Sequence, residues 1–99
     1  MKIDKTLESG KVILALEGRL DTTSAPQLEE VLIPYLNGSG EVTLDFSQVS
    51  YISSAGLRVL LIAQKQVLAC GSSMSLSGVS EEIMEVFEMT GFNDIITIV

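Results

Sequence analysis

The chain has 99 residues, 46% of them hydrophobic, and its 13 acidic against 6 basic residues give a formal charge of −7. This length fits one globular domain over residues 1–99, and the acidic balance argues against nucleic acid or an anionic membrane as a partner. The sequence contains no histidine, so it lacks the usual general base and the commonest transition-metal ligand. Catalysis by carboxylates alone or by a lysine would not need histidine, but the sequence has no recognisable motif for either. We therefore expect a protein that is not an enzyme and that needs no metal or cofactor, with a small enzyme as the disfavoured alternative.

Cysteine usage and hydropathy predict the compartment. Cys70 is the single cysteine, so no internal disulfide can form. No apolar stretch of the signal-peptide kind follows Lys2, and the longest apolar run, residues 59–63, is far below the roughly 20 residues of a membrane span. We expect a cytoplasmic protein without membrane insertion.

The first predicted elements form a β-hairpin. Residues 3–8 and 12–17 are rich in β-branched residues and leucine and flank Ser9-Gly10. This pattern predicts two antiparallel strands joined by a tight turn. Gly18 is predicted to end the second strand.

A first helix is predicted after the hairpin. Ser24 is placed to cap its first turn, with Gln27 as the capping-box partner. An apolar stripe at helical spacing follows within residues 28–36, and Pro34 predicts an early end or a kink. Residues 37–40, Asn-Gly-Ser-Gly, have the composition of a turn.

The middle of the chain predicts two half-buried strands with a helix between them. Apolar residues alternate with polar ones over residues 42–46 and again over residues 73–77. The apolar segment 54–69 between them predicts a helix that Gly71 ends. Its expected core stripe comprises Leu57, Leu60, Leu61, Val67 and Leu68.

A third helix and a last strand complete the predicted elements. Ser80 is placed to cap the helix, Glu81 and Glu82 suit its positive end, and Gly91 suits its C-terminus. Residues 94–99 are predicted to form the final strand.

The predicted order is β-β-α-β-α-β-α-β. Strands that alternate with helices imply right-handed crossovers and a mostly parallel sheet, to which the hairpin adds an antiparallel strand. Because the middle strands alternate between apolar and polar residues, the helices are expected mainly on one face of the sheet. The predicted class is a single α/β domain with a mixed, mostly parallel sheet and superhelical βα crossovers.

The segment that carries chemistry lies between the two middle strands. A strand is predicted to end near Phe46, and a helix begins at Ser53 or Ser54 after a short loop. Unpaired backbone N–H groups and the positive end of the helix dipole favour a phosphoryl group at such a place. Gly56 offers bare backbone that another molecule can approach closely. The alternative is that the serines simply cap a buried helix.

This segment resembles the signature of the STAS family, which includes the anti-sigma factor antagonists and related domains of sulphate transporters. The resemblance rests on Asp45-Phe46-Ser47, Tyr51-Ile52, Ser53, Ser54, Ala55, Gly56 and Leu57. Residues 18–25 and 86–92 resemble two further patches of the family, in order and without large insertions.

The resemblance implies a partner switch. In that family the unmodified antagonist binds an anti-sigma factor that is a serine kinase of the GHKL ATPase type, and the sigma factor is freed. The kinase phosphorylates the serine at the helix start, here Ser54, and a 2C-type phosphatase reverses the modification. Ser53 stands where antagonists commonly carry Asp and is the alternative acceptor. A second hypothesis is a subunit that is not phosphorylated, in a lipid-transport ATPase or signalling assembly.

The predicted partner-binding surface surrounds the helix start. Asp21 follows the second strand and belongs either to this surface or to an Asx turn. Val59 and Ile62 fall among polar positions of the helix, either as an apolar patch for the partner or packed on a neighbouring helix. The surface comprises Asp21, Thr22, Ser53, Ala55, Gly56, Arg58, Val59 and Ile62.

Overall fold

The hairpin and the alternating strands form one sheet. A computed structural model describes residues 1–37 and 40–99 of the chain. Within them, five strands lie in the order β1-β2-β3-β4-β5. The first two strands pair antiparallel and all the others pair parallel, which confirms the predicted mixed sheet. The strands are Lys2–Glu8 (β1), Lys11–Leu20 (β2), Glu41–Ile52 (β3), Ser73–Ser77 (β4) and Thr97–Ile98 (β5).

Three α-helices connect the strands, in the predicted order. They are Ala25–Leu32 (α1), Ser54–Cys70 (α2) and Glu81–Thr90 (α3). A 3₁₀ helix over Ile33–Leu36, with Pro34 in its first turn, follows α1 and gives the early end that proline predicts. Gly71 and Gly91 close α2 and α3 in the left-handed conformation, with φ of 73° and 77°. No helix in the described part of the chain is long and apolar enough to span a membrane.

The core lies between one face of the sheet and the helices. Alternate residues of β3, such as Leu44 and Phe46, are fully buried and join the buried side chains of all three helices in one cluster. On the other face of the sheet, Thr43 Oγ1 and Ser75 Oγ lie 3.3 Å apart across β3 and β4. Helices on one face explain why these strands alternate between apolar and polar residues.

Two strands are longer than predicted. Gly18 does not end β2, because its φ of 113° allows an irregularity through which the strand continues to Leu20. The pairing register with β3 shifts on both sides of this glycine. Likewise β3 does not end near Phe46 but runs on to Ile52. The predicted loop before α2 is therefore mostly strand.

Several local predictions are wrong for identifiable reasons. Ser24 makes no cap bond, since its Oγ donates to the carbonyl of Arg19 at 2.6 Å. Gln27 completes no capping box, because its amide donates to the carbonyl of Met1 at 2.9 Å. A 3₁₀ helix over Phe92–Asp94 shortens the last strand. The predicted turn at residues 37–40 includes Gly38 and Ser39, which lie outside the described residues.

The buried face of α2 is also rotated relative to the prediction. Leu68 was expected in the core but is 75% exposed, whereas Val59 is only 4% exposed. The buried residues of this helix are Gly56, Val59, Leu60, Ala63 and Val67. Since α2 contacts both the sheet and α1, its apolar residues cover more than one face.

Candidate functional site

Two parallel strand ends place the site at one edge of the sheet. Leu20, the last residue of β2, pairs with Ile52, the last residue of β3. The backbone N–H of Ser53 then donates to the carbonyl of Leu20 at 2.9 Å. The turn that begins at Asp21 and the helix that begins at Ser54 therefore leave the sheet side by side.

The start of α2 leaves several backbone donors outside the helical ladder. Ser53 holds the N-cap position, with φ −104° and ψ 176°, and Ser54 is the first helical residue. The first intrahelical bond runs from the N–H of Leu57 to the carbonyl of Ser53 at 3.0 Å. The N–H groups of the three residues before Leu57 precede that bond, at the positive end of the helix dipole. Ser54 thus lies beside the cap rather than forming it, and this environment suits an anionic group.

The two adjacent serines differ in their accessibility. Ser54 is exposed. The Oγ of Ser53 is buried, makes no cap bond and has no hydrogen-bond partner in the described part of the chain. Only Ser54 presents its hydroxyl to a molecule that approaches from outside.

Gly56 is buried against the two strand ends. A Cβ at this position would lie 2.7 Å from Leu20 Cγ, 2.9 Å from Ile52 Cγ1 and 3.0 Å from the carbonyl oxygen of Leu20. Leu20 and Ile52, at the ends of β2 and β3, occupy the space beside Gly56 into which a partner was expected to approach. The interpretation of Gly56 as bare backbone for a partner is therefore wrong, because its missing side chain lets α2 pack closely on the sheet.

Asp21 makes an Asx turn, as the alternative interpretation proposed. Its Oδ1 accepts hydrogen bonds from the N–H of Thr23 at 3.1 Å and of Ser24 at 3.2 Å. Its Oδ2 lies 3.6 Å from Arg19 Nε. The Ser24 N–H is the main cause that lowers the pKa of Asp21 from its ordinary value, with help from the N–H of Thr23 and the charge of Arg19. Asp21 shapes the turn beside α2.

An arginine–tyrosine contact next to the site was not predicted. The guanidinium carbon of Arg19 lies 4.1 Å from the ring centroid of Tyr51. The two residues are cross-strand neighbours only because of the register shift at Gly18. Both residues lie beyond the strand ends that the sequence predicted, and nothing in the sequence signals the register shift that brings them together.

A groove between α1 and α2 collects most of the predicted partner-binding residues. Its volume is about 290 Å³. The predicted residues in its lining are Thr22, Ala55, Arg58, Val59 and Ile62, and three residues of α1 that were not predicted complete it: Ala25, Pro26 and Glu29. Val59 packs between the helices, as one of its two interpretations proposed. In the described ranges, no group of three His, Cys, Asp or Glu side chains could hold a metal ion.

Comparisons with known proteins place the chain in a family. The STAS domain family model matches residues 2–99. The anti-sigma-B factor antagonist of Bacillus subtilis is 32% identical over 98 residues, which cover 99% of this chain and 90% of that protein.

Solved structures share the fold. The Bacillus protein SpoIIAA gives a TM-score of 0.75 in its unphosphorylated form, at 15% identity over 99% of this chain and 87% of that one. Its phosphorylated form gives 0.73, at 16% identity over 99% and 91%. A sulfate transporter family protein from Wolinella succinogenes gives 0.76, at 24% identity over 91% and 74%. Because the family match runs through all five strands and three helices, including the start of α2, the chain belongs to the STAS domain family.

Proposed function

We propose that the protein is an anti-sigma factor antagonist that switches partners at Ser54. Its unphosphorylated form binds an anti-sigma factor that is also a serine kinase of the GHKL ATPase type, and the sigma factor is freed. Phosphorylation of Ser54 separates the complex, and a 2C-type phosphatase restores the binding form. The observation that carries this proposal is the exposed Ser54 at the free N-terminus of α2, and the named function of the Bacillus subtilis relative supports it.

The proposed contact surface is the groove together with the helix start. Thr22, Ala55, Arg58, Val59 and Ile62 line the groove, and Ser53 lies at the start of α2. Gly56 is not part of this surface, because it is buried against the ends of β2 and β3. Asp21 contributes by shaping the neighbouring turn.

A phosphate at this place affects the partner more than the fold. It adds about −1.5 to −2 charges, which takes the net charge from −7 to roughly −9. Within the protein, the free N–H groups and the helix dipole stabilise the dianion, so no refolding is needed. A partner packed on the same spot instead meets a bulky charge that it would have to desolvate.

Burial favours Ser54 over Ser53 as the acceptor. A kinase must bring the hydroxyl oxygen in line with the γ-phosphate of ATP, which requires access to that oxygen. The Ser53 oxygen is buried and Ser54 is exposed. Phosphorylation of Ser53 would need the first turn of α2 to open.

The test is phosphorylation by the candidate kinase. The protein is incubated with the anti-sigma factor and ATP, and mass spectrometry locates the added phosphate. We expect phosphate on Ser54, its complete loss in Ser54→Ala, and its retention in the matched Ser53→Ala variant. No incorporation with a kinase that demonstrably binds the protein would refute the proposal.

A second candidate function is that of a docking subunit in a transport ATPase assembly. Ser53, which stands where antagonists commonly carry Asp, favours this alternative. In that case the hydroxyl of Ser54 would contact a transporter subunit without being phosphorylated. If the protein co-purifies with such a subunit and added ATP does not dissociate the complex, the result would support this alternative over the switch.

A further inference from the structure

We infer that Arg58 binds the phosphate of phosphorylated Ser54 and that this contact withdraws Arg58 from the groove between α1 and α2. This inference rests on the proposed phosphorylation of Ser54. Through Arg58, the phosphate on Ser54 would change the charge of the groove between α1 and α2.

Helix geometry brings the two residues together. Ser54 and Arg58 both belong to α2 and are separated by four positions, so they are neighbours on one helix face with Cβ atoms about 5–6 Å apart. Side chains on a helix lean toward its N-terminus, which carries the arginine over the turn that contains Ser54. Arg58 also shares the groove with Thr22 and Ala55, which both lie near that helix start.

Arg58 is available for a new anionic partner. It is exposed, and no carboxylate in the described ranges lies within ion-pair distance of it. The other arginine, Arg19, is already placed over the ring of Tyr51 and beside the carboxylate of Asp21. Lys65 is the only other cation of α2, and it lies three helical turns beyond Ser54.

The chemistry of the pair favours contact. An acidic group four positions before a basic one is the better orientation of such a helix pair, and the phosphate at Ser54 also lies at the positive end of the helix dipole. A guanidinium can bind two oxygens of a phosphate at once through charge-assisted hydrogen bonds. Glu29 in the groove lining and Asp21 in the neighbouring turn carry the same sign of charge as the phosphate and offer it no competing contact.

Capture of Arg58 would change the groove itself. Among the described residues that line the groove, Arg58 is the only cation and Glu29 the only carboxylate. In the unmodified protein these two charges are opposite and leave the groove near neutrality. Once the phosphate holds the arginine, the groove presents Glu29 alone, and a partner suited to the neutral form meets a negative surface.

The test installs phosphoserine at position 54 by genetic code expansion, so that it does not depend on a kinase. The ³¹P chemical shift is then followed against pH, starting from a second phosphate pKa of about 6. Loss of the guanidinium in Arg58→Gln should raise the titration midpoint by about 0.1–0.4 pH unit. Arg58→Lys should raise it less, and the matched variant Lys65→Gln should leave it unchanged.

Equal titration midpoints in the wild type and Arg58→Gln would overturn the inference. A shift in Lys65→Gln as large as that in Arg58→Gln would also overturn it, because the phosphate would then respond only to the net charge of the protein. Chemical denaturation of the unphosphorylated variants checks that each is folded. If the kinase experiment fails while the midpoint shifts, the proposed function is wrong but the Arg58 contact stands.

Discussion

At the scale of single residues, Gly56 shows how one missing side chain positions the site. The nearest atoms to a Cβ there belong to Leu20 and Ile52, which are 0% and 6% exposed and have little room to move. A glycine in the first turn is visible in the sequence, but its neighbours come from two strand ends that the sequence did not place. Its role could therefore be recognised only once β2 and β3 were seen to extend to the helix.

We predict that Gly56→Ala lowers the free energy of unfolding by about 1–2 kcal/mol. Overpacking costs about 1–3 kcal/mol, and the better helix propensity of alanine offsets at most about 1 kcal/mol of this. Gly40→Ala is the matched control, because within residues 1–37 and 40–99 its added Cβ would meet only the carbonyl oxygen of Tyr35, at 3.6 Å. Urea denaturation measures both, and equal stability of wild type and Gly56→Ala would contradict the packing argument.

The turn at Asp21 makes a prediction about pH. The pKa of Asp21 is held below its ordinary value of 3.8 mainly by the hydrogen bond from the backbone N–H of Ser24, and the N–H of Thr23 lowers it further. A carboxylate with a lowered pKa stabilises the fold above the ordinary value and loses this contribution as the pH falls through the folded-state value. The advantage of the wild type over Asp21→Asn should therefore be present at about pH 6 and shrink by about pH 3. Urea denaturation at both pH values tests this, and a difference independent of pH would refute it.

At the scale of elements, the two serines that start α2 and α3 provide a natural comparison. Ser80 Oγ accepts a hydrogen bond from the N–H of Ile83 at 3.3 Å, as the sequence predicted. Ser53 holds the same position on α2 but makes no cap bond, and its buried oxygen has no hydrogen-bond partner among the residues that the structure describes. The same residue type therefore stabilises one helix start and not the other.

We predict that Ser80→Ala lowers the free energy of unfolding by about 1 kcal/mol, the usual cost of a lost cap. Ser53→Ala should cost less than about 0.5 kcal/mol or even stabilise the protein, because it removes a buried hydroxyl that has no partner. Thermal or urea denaturation of Ser80→Ala and Ser53→Ala measures the two changes in the free energy of unfolding. A larger loss for Ser53→Ala than for Ser80→Ala would show that Ser53 makes a cap bond in solution.

Local sequence signals predicted the ends of the helices but not the end of β2. Gly71, Gly91 and Pro34 act within one helical turn, so the ends that they predict agree with the structure. The end of β2 depends on its pairing with β3, which continues past Gly18 despite the positive φ. Tertiary pairing there outweighed the local preference of glycine to end a strand.

At the scale of the whole molecule, the site depends on how α1 and α2 pack. The helical pattern of α2 predicted Arg58, Val59 and Ile62 as candidates for the partner surface. Glu29 and Pro26 gave no such signal, because in the sequence they are ordinary residues of an amphipathic helix. They become part of the groove only through the contact between the two helices. One wall of the groove was therefore predictable and the other was not.

A phosphate mimic separates the role of Ser54 in binding from any role in the fold. Asp at the first position of α2 is compatible with the helix dipole, so Ser54→Asp should change the free energy of unfolding by less than about 0.5 kcal/mol. Binding to the anti-sigma factor should weaken at least about tenfold, which corresponds to about 1.4 kcal/mol, because the partner would have to desolvate the added negative charge.

Ser54→Asn, similar in size but uncharged, is the control and should retain most of the affinity. Calorimetric titration measures binding, and denaturation measures stability. Equal weakening by Asn and Asp would mean that shape rather than charge governs the interface. A stability loss of several kcal/mol in Ser54→Asp would instead show that Ser54 supports the start of α2 itself, and the capping interpretation would then replace the switch.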